Sequence, residues 1–182
     1  MNDRTQNRSL QAIPTVERVT SLTSGDMNDL CDATDAAIEG GGGFGWVKLP
    51  SRDLLERYWH GMMTMPARIL FVARLDGVIC GTAILILPSR SNEAQSFAGT
   101  ITSVFVAPWA RGHGLARMLV EAVESSAKEE GLGVINLDVR ETQDAAIKLY
   151  ETMGYILFGK HPVYARVEGQ TIPGRYYYKE IS

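Results

Sequence analysis

A short segment, residues 111–116, has the residue types of an anion-binding turn. It reads Arg-Gly-His-Gly-Leu-Ala and lies between an apolar run that ends at Val106 and an amphipathic run that begins near Gly114. The first turn of a helix leaves backbone N–H groups without intrahelical partners, and the helix dipole adds partial positive charge there. Glycines remove the Cβ atoms that would keep a phosphate away, and Arg111 offers a charged donor. The segment therefore predicts a site for a di- or polyphosphate ligand, with a plain tight turn as the alternative.

This segment and a second one downstream resemble the GCN5-related N-acetyltransferase (GNAT) family. The pattern Arg-x-x-Gly-x-Ala at 111–116, preceded by Val-Phe-Val-x-Pro, is similar to that family's coenzyme A pyrophosphate loop. The pattern Ala-x-x-Leu-Tyr-x-x-x-Gly-Tyr at 146–155 is similar to a second family segment and follows in the expected order. Residues 161–165 and 175–179 resemble small-molecule branches of the family, including tabtoxin-resistance-type acetyltransferases.

The resemblance implies that acetyl-CoA is the cosubstrate and that no metal is required. The strand residues Val104, Phe105 and Val106 would present backbone groups to the acetyl and pantetheine arm, which can add to a sheet like an extra strand. The residues that would hold the pyrophosphate, mostly through main-chain N–H groups, are Arg111, Gly112, His113, Gly114, Leu115 and Ala116. The family often has asparagine seven residues before its tyrosine, where this chain has Gln143. That amide could make a similar cofactor contact or simply begin a helix.

Tyr150 matches the tyrosine that the family uses to protonate the departing thiolate. An ordinary phenol has a pKa of about 10, so it is protonated at neutral pH and can donate that proton. The residue lies along the apolar face of a helix predicted over 143–153. A core tyrosine whose hydroxyl is hydrogen-bonded is the alternative.

A general base is predicted on the strand over 134–139. An alkyl amine has a pKa of about 10 and must be neutral to attack a thioester, so a base or a water chain helps. Asn136 and Asp138 alternate with apolar residues and therefore share one face of the strand. A carboxylate on an interior strand costs free energy unless it is paired or functional, which makes Asp138 the first candidate. Glu141 and Glu39 are alternatives, and Asp138 could instead be hydrogen-bonded near the strand end.

The glycine cluster at 40–45 is not interpreted as a dinucleotide site. Gly-x-Gly-x-x-Gly serves that purpose when a strand precedes it and a helix opens inside it, whereas a predicted helix precedes it here. The cluster is expected to let the loop after the first helix move, and the resemblance implies that this loop lies on the acceptor side. Phe44, Trp46 and Tyr58 could line the acceptor pocket, or they could pack on the domain.

Composition limits the classes of protein to which the chain can belong. Its 182 residues fit one domain, expected over 14–182 after a flexible tail at 1–13. The net charge of −3 argues against a broad nucleic-acid or membrane surface, and two cysteines cannot build a disulfide framework or a zinc site alone. A polar N-terminus and no long apolar run indicate a cytoplasmic protein.

Hydrophobic periodicity predicts the elements that position these residues. The expected order is β-α-α-β-β-β-α-β-α-β-β, a mixed α/β domain built on one sheet. The resemblance implies a mostly antiparallel sheet of about six to seven strands with about four helices on its faces. The predicted strands cover 16–20, 68–75, 78–87, 95–106, 134–139, 155–160 and 176–181. The first predicted helix starts at Thr23, and the other three cover 51–63, 114–130 and 143–153. The helix over 51–63 is expected to bury Leu54, Leu55, Tyr58 and Met62, and residues 161–175 are expected to form a loop.

These expectations combine into one hypothesis. The chain transfers the acetyl group of acetyl-CoA to a primary amine of a small molecule or peptide by direct attack, as a monomer or homodimer. A non-catalytic acyl-CoA-binding or sensing domain is the alternative from another class. A longer acyl-CoA or an O-linked acceptor is the enzymatic alternative.

Overall fold

The computed structural model describes residues 11–42 and 44–181 and confirms the predicted order of elements. Most of the expected tail, together with Gly43, lies outside the described residues. The elements are β1 (Pro14–Val19), α1 (Ser24–Glu39), α2 (Arg52–Thr64), β2 (Arg68–Leu75), β3 (Val78–Ile86), β4 (Ala98–Val106), α3 (Leu115–Glu129), β5 (Val134–Arg140), α4 (Asp144–Thr152), β6 (Ile156–Val167) and β7 (Gln170–Glu180).

All seven strands join one sheet in the order β1-β2-β3-β4-β5-β7-β6. Within the described ranges, β4 and β5 form the parallel pair and the other neighbours run antiparallel. Helices α3 and α4 pack on one face, where Leu119, Val123 and Ile135 are buried together. Helices α1 and α2 pack on the other, around Trp59. The predicted mixed, mostly antiparallel sheet with helices on both faces is confirmed.

Local sequence signals explain several element ends. The Thr23 hydroxyl accepts a hydrogen bond from the Asp26 N–H at 3.1 Å and caps α1, and Ser51 caps α2 in the same way. Asp76 and Gly77 both have positive φ, at 51° and 86°, as a two-residue hairpin turn between β2 and β3 requires. None of the helices in the described part of the chain is long and apolar enough to cross a membrane.

The strands β4 and β5 separate soon after they meet. Their pairing joins Ala98–Thr100 to Val134–Asn136 and stops there. Beyond those residues the two strands share no ladder, so the β5-facing edge of β4 opens onto a wedge. The acetyl and pantetheine arm of the cofactor is predicted to lie beside this stretch of β4.

A β-bulge in β4 changes which side chains face each helical layer. Thr82 of β3 pairs with Phe105, but Ile84 pairs with Thr102, so β4 has an extra residue between them. Ser103 in the bulge has φ of 54°, and its carbonyl accepts a hydrogen bond from the Thr82 hydroxyl at 2.8 Å. Ile101 therefore packs with α3 and α4, whereas Phe105 packs with α1 and α2.

Two sequence-based predictions of local structure are wrong. On α2, Leu54 is 41% exposed while Trp59 is fully buried, because the buried stripe follows Leu55, Trp59 and Met62. The expected loop at 161–175 is instead the continuation of β6 and β7, joined by a turn at Glu168 and Gly169.

The prolines in this hairpin misled the prediction because of where they lie in the ladder. The β6–β7 pairing is irregular between His161 and Ala165, and Pro162 and Pro173 both fall in that interruption. A proline lacks the N–H that a ladder needs, so a strand accepts it where the pairing is already broken.

Thr34→Val should lower the free energy of unfolding by about 1–3 kcal/mol, because it leaves a buried donor without its acceptor. The Trp59 indole N–H donates to the Thr34 hydroxyl at 3.1 Å, and that hydroxyl donates to the Leu30 carbonyl at 2.7 Å. Urea denaturation measures the change. Thr64→Val, on the exposed end of α2, is the matched control and should alter stability by less than about 0.5 kcal/mol. Equal effects of the two variants would contradict the assigned role of the Thr34–Trp59 bond.

Candidate functional site

A cavity of about 810 Å³ lies where the end of β4 meets the first turns of α3 and α4. Val104, Phe105 and Val106 form its β4 wall. The other lining residues are Ala37, Gly40, Gly41, Gly42, Ala110, Arg111, Gly112, Gly114, Leu115, Ala116, Arg117, Thr142, Gln143, Asp144, Ala145, Ala146, Leu149 and Tyr150. The structure thus brings most of the predicted cofactor residues to one cavity.

The N-terminus of α3 supplies backbone donors to this cavity. Gly112 and Gly114 have φ of 84° and 74°, a conformation that residues with a Cβ adopt rarely. Gly114 caps the helix without a side-chain hydrogen bond, and the first helical bond runs from Met118 N–H to its carbonyl at 3.1 Å. The N–H groups of residues 115–117 therefore have no intrahelical partner, which suits an anion.

The N-terminus of α4, where the sequence predicts a cofactor contact, lines the same cavity. Its cap is Gln143, which makes no capping hydrogen bond through its side chain. Glutamine is not one of the preferred caps, so the helix start carried a weak sequence signal. Asp144 in the first turn offsets part of the positive potential there.

The Gln143 side chain instead ties α4 to the glycine turn after α1. Its amide N–H donates to the Gly41 carbonyl at 2.9 Å. Gly40, Gly41 and Gly42 consequently form part of the rim of the 810 Å³ cavity, and Gly42 also reaches a second one. The loop expected on the acceptor side thus borders the predicted cofactor residues as well.

A smaller cavity of about 240 Å³ adjoins the first. The residues that line both are Gly42, Val104, Gln143, Ala146 and Tyr150. Tyr150 is 5% exposed and packs edge-on against Tyr155 at 5.7 Å between ring centroids. Burial raises the pKa of Tyr150, and the nearby charge of Asp138 raises it further. The phenol therefore stays protonated at the junction of the two cavities.

Asp138 lines the smaller cavity from β5, and it accepts a hydrogen bond from the Tyr164 hydroxyl. Tyr164 comes from β6 and lines the same cavity. Burial raises the pKa of Tyr164, and so does its hydrogen bond to Asp138, which keeps the phenol a donor. Tyr164 was not a predicted site residue, because only the folded β6–β7 hairpin brings it to β5.

The two alternative bases lie elsewhere. Glu141 forms ion pairs with Lys160 at 3.1 Å and Arg175 at 2.9 Å, and these partners lower the pKa of Glu141. Glu39 is exposed at the end of α1. Neither lines the two cavities.

The predicted acceptor aromatics are only partly brought to the site. Phe44 lines the smaller cavity and stacks on Phe105, with ring centroids 5.0 Å apart. Trp46 and Tyr58 do not line this cavity. Their ring centroids lie 6.0 Å apart, and the centroid of Tyr58 lies 6.2 Å from that of Phe44.

The predicted phosphate ligand His113 also stands apart from the 810 Å³ cavity. Its Nδ1 lies 3.2 Å from the Ala110 carbonyl oxygen and 3.1 Å from that of Arg111. The ring thus contacts the backbone of its own turn.

The connected cavities suit a group transfer. One end offers backbone donors for an anionic carrier, the junction offers a protonated phenol, and the far side offers a carboxylate. Among residues 11–42 and 44–181, no three His, Cys, Asp or Glu side chains cluster as metal ligands would.

Comparison with known proteins adds an independent finding. A model of the Acetyltransferase (GNAT) family matches residues 38–155. An uncharacterized N-acetyltransferase in the hisH-hisA intergenic region of Azospirillum brasilense is 61% identical over 129 residues, which are 71% of this chain and 77% of that protein.

Two solved structures share the fold. An N-acetyltransferase from Staphylococcus aureus Mu50 superposes with a TM-score of 0.79 at 18% identity, over 93% of this chain and 99% of that chain. The yncA protein of Salmonella typhimurium, solved with its cofactor acetyl-CoA, superposes with a TM-score of 0.74 at 17% identity, over 93% of this chain and 94% of that chain.

Gly174→Ala should dislodge Tyr164 from Asp138. A Cβ on Gly174 would lie 2.2 Å from the Tyr164 ring, so the ring must move. The expected loss is about 1–3 kcal/mol of unfolding free energy, as for other overpacked sites. Urea denaturation measures it. Gly159→Ala, in the same hairpin with nothing within 4 Å of its added Cβ, is the control and should leave stability nearly unchanged. If both variants were equally stable, the Tyr164 ring would not pack directly against Gly174.

Proposed function

Because the chain belongs to the acetyltransferase (GNAT) family, we propose that it transfers the acetyl group of acetyl-CoA to a primary amine. The observation that carries the proposal is the pair of cavities that meet at Tyr150. The larger one binds the cofactor and the smaller one admits a small-molecule or peptide amine.

The larger cavity fits coenzyme A in chemistry as well as in position. Gly112 and Gly114 leave open space where a Cβ would stand, so a phosphate can reach the backbone N–H groups of the α3 start. Arg111 adds positive charge at the rim. The β4 residues Val104–Val106 face the wedge and can pair with the amide groups of the pantetheine arm.

Acetyl-CoA supplies the thioester, and the chain's residues orient it and move two protons. The amine nitrogen bonds to the acetyl carbon as the carbon–sulfur bond breaks. Tyr150, which its raised pKa keeps protonated, donates its phenolic proton to the departing sulfur. Backbone donors of β4 polarise the carbonyl oxygen. Holding amine and thioester together in these adjoining cavities supplies much of the acceleration.

Asp138 accepts the amine proton, directly or through water. It lines the smaller cavity, which is the proposed acceptor cavity. Tyr164 donates to one carboxylate oxygen, Oδ2, and so orients the group toward the cavity. Glu141 is unsuited to this role, because its carboxylate forms ion pairs with Lys160 and Arg175 and does not line either cavity.

We also propose one acetyltransferase domain over 14–182 that works in the cytoplasm as a monomer or homodimer. The reaction uses no metal, and the partners include neither nucleic acid nor a membrane. The single sheet with a core on each face supports one domain. The buried free thiols of Cys31 and Cys80 suit a reducing compartment.

Acetyl-CoA should raise the melting temperature, and Gly114→Glu should abolish the rise by placing a carboxylate where the phosphates bind. At 100 times Kd, binding adds about 2.7 kcal/mol. A domain of this size then melts about 5–10 °C higher. Each variant is compared with its own unliganded melting temperature. Gly133→Glu, which also enters open space, is the control and should keep the rise. A wild-type protein that shows no rise at saturation would refute the cofactor assignment.

Tyr150→Phe should lower kcat about 100-fold while leaving the acetyl-CoA melting shift intact, because it removes the proton and keeps the ring. Free-thiol release across a panel of amines measures turnover. Tyr155→Phe, whose ring packs on Tyr150, controls for altered packing and should retain most activity. Unchanged turnover in Tyr150→Phe would remove its acid role. If none of the amines in the panel causes free-thiol release, a non-catalytic acyl-CoA-binding domain would be favoured.

A further inference from the structure

Arg140 places a positive charge in the proposed acceptor cavity. It is the last residue of β5 and lines the 240 Å³ cavity together with Asp138. Side chains two residues apart on a strand point to the same face, with about 6.6 Å between their Cα atoms. The cavity therefore presents a carboxylate and a guanidinium side by side.

These two charges do not neutralise each other. Asp138 and Arg140 form no ion pair with one another, and Arg140 takes part in none of the ion pairs found among the described residues. The neighbouring Arg175, by contrast, is paired with Glu141. The hydrogen-bond partner of Asp138 is the neutral phenol of Tyr164.

The charge of Arg140 acts on the Tyr164 phenol, which lines the same cavity. Burial raises the pKa of Tyr164, as does Asp138, and Arg140 acts on the same phenol in the opposite direction. Arg140 is half-buried as a residue, and its guanidinium, which has no counter-ion among the described residues, is free to pair with a bound anion. Guanidinium groups pair best with planar, bidentate anions such as carboxylates.

We propose that the acceptor is an amine that also carries a carboxylate close by, as a free amino acid or a small amino-acid-like molecule does. Its carboxylate pairs with Arg140 while its amine lies near Asp138, so the two charges of the cavity meet the two charges of the ligand. The cavity is smaller than the roughly 300–1,000 Å³ typical of drug-sized ligands, which also favours a small acceptor. This inference rests on the proposed acetyltransferase function.

The same charge disfavours other amine classes. A polyamine brings only positive charge and meets repulsion from Arg140. A peptide N-terminus has an amide where an amino acid has its carboxylate, and it would leave the guanidinium unpaired. Arg140 is thus the specificity-determining residue of the acceptor cavity.

The test compares matched acceptors that differ only in the carboxylate. The sets are leucine, leucinamide and isoamylamine, and lysine with cadaverine. With acetyl-CoA at saturation, kcat/KM should favour the amino acid by at least about tenfold, the value of one good charged hydrogen bond. Arg140→Gln should reduce that preference to about one, while Arg140→Lys keeps part of it. Arg166→Gln, on the exposed side of β6, is the control and should preserve the preference.

The outcomes separate this inference from the function on which it rests. If isoamylamine and cadaverine react as well as the amino acids, or if Arg140→Gln keeps the preference, the inference is overturned and the acetyltransferase assignment stands. If none of the amines reacts, calorimetric titration of leucine and lysine into the protein loaded with coenzyme A decides. Binding that Arg140→Gln weakens about tenfold supports the inference, and lack of binding overturns it. Failure to bind acetyl-CoA itself refutes the proposed function.

Discussion

The early separation of β4 from β5 is the feature on which the site depends. Backbone N–H and C=O groups in the middle of a sheet normally pair with a neighbouring strand. Here the parallel ladder ends after Thr100 and Asn136, so the next residues of β4 present an open edge inside the protein. Both cavities lie along this edge, one toward α3 and α4 and the other toward β6. A ligand with amide groups of its own can pair with this open edge.

The bulge at Ser103 lets β4 bury side chains in the helical layers on both faces of the sheet. Without the extra residue, Ile101 and Phe105 would face the same side. With it, Ile101 belongs to the core under α3 and α4, and Phe105 stacks on Phe44 in the other layer. Gly81 makes this possible, because a Cβ there would lie 2.5 Å from the Phe105 carbonyl oxygen. A single distorted strand thus contributes side chains to the hydrophobic cores on both faces of the sheet.

The family and fold predicted from the sequence are confirmed, and the reasons are local. The turn at 111–116 depends on two glycines with positive φ, and the hairpin at Asp76 needs only its own two turn residues. The predictions that are wrong depended on neighbours. Trp59 rather than Leu54 is buried because its face of α2 packs against α1 and the sheet, and the prolines of β6 and β7 are tolerated because the pairing is already interrupted there.

The sequence by itself determined the order of elements and the strand-to-helix turn, since these follow from short-range patterns, whereas the acid role of Tyr150 was predicted from the family resemblance. Only the tertiary structure decided which polar residues meet. Asp138 and Tyr164 are joined across β5 and β6, Gln143 reaches Gly41, and Arg140 remains unpaired beside Asp138 among the described residues. These relations depend on strand order and register, which place residues far apart in the chain at one edge. A turn fixes the register of a hairpin, but β5 pairs with β7 across α4 and β6, so no single segment encodes which residues meet there.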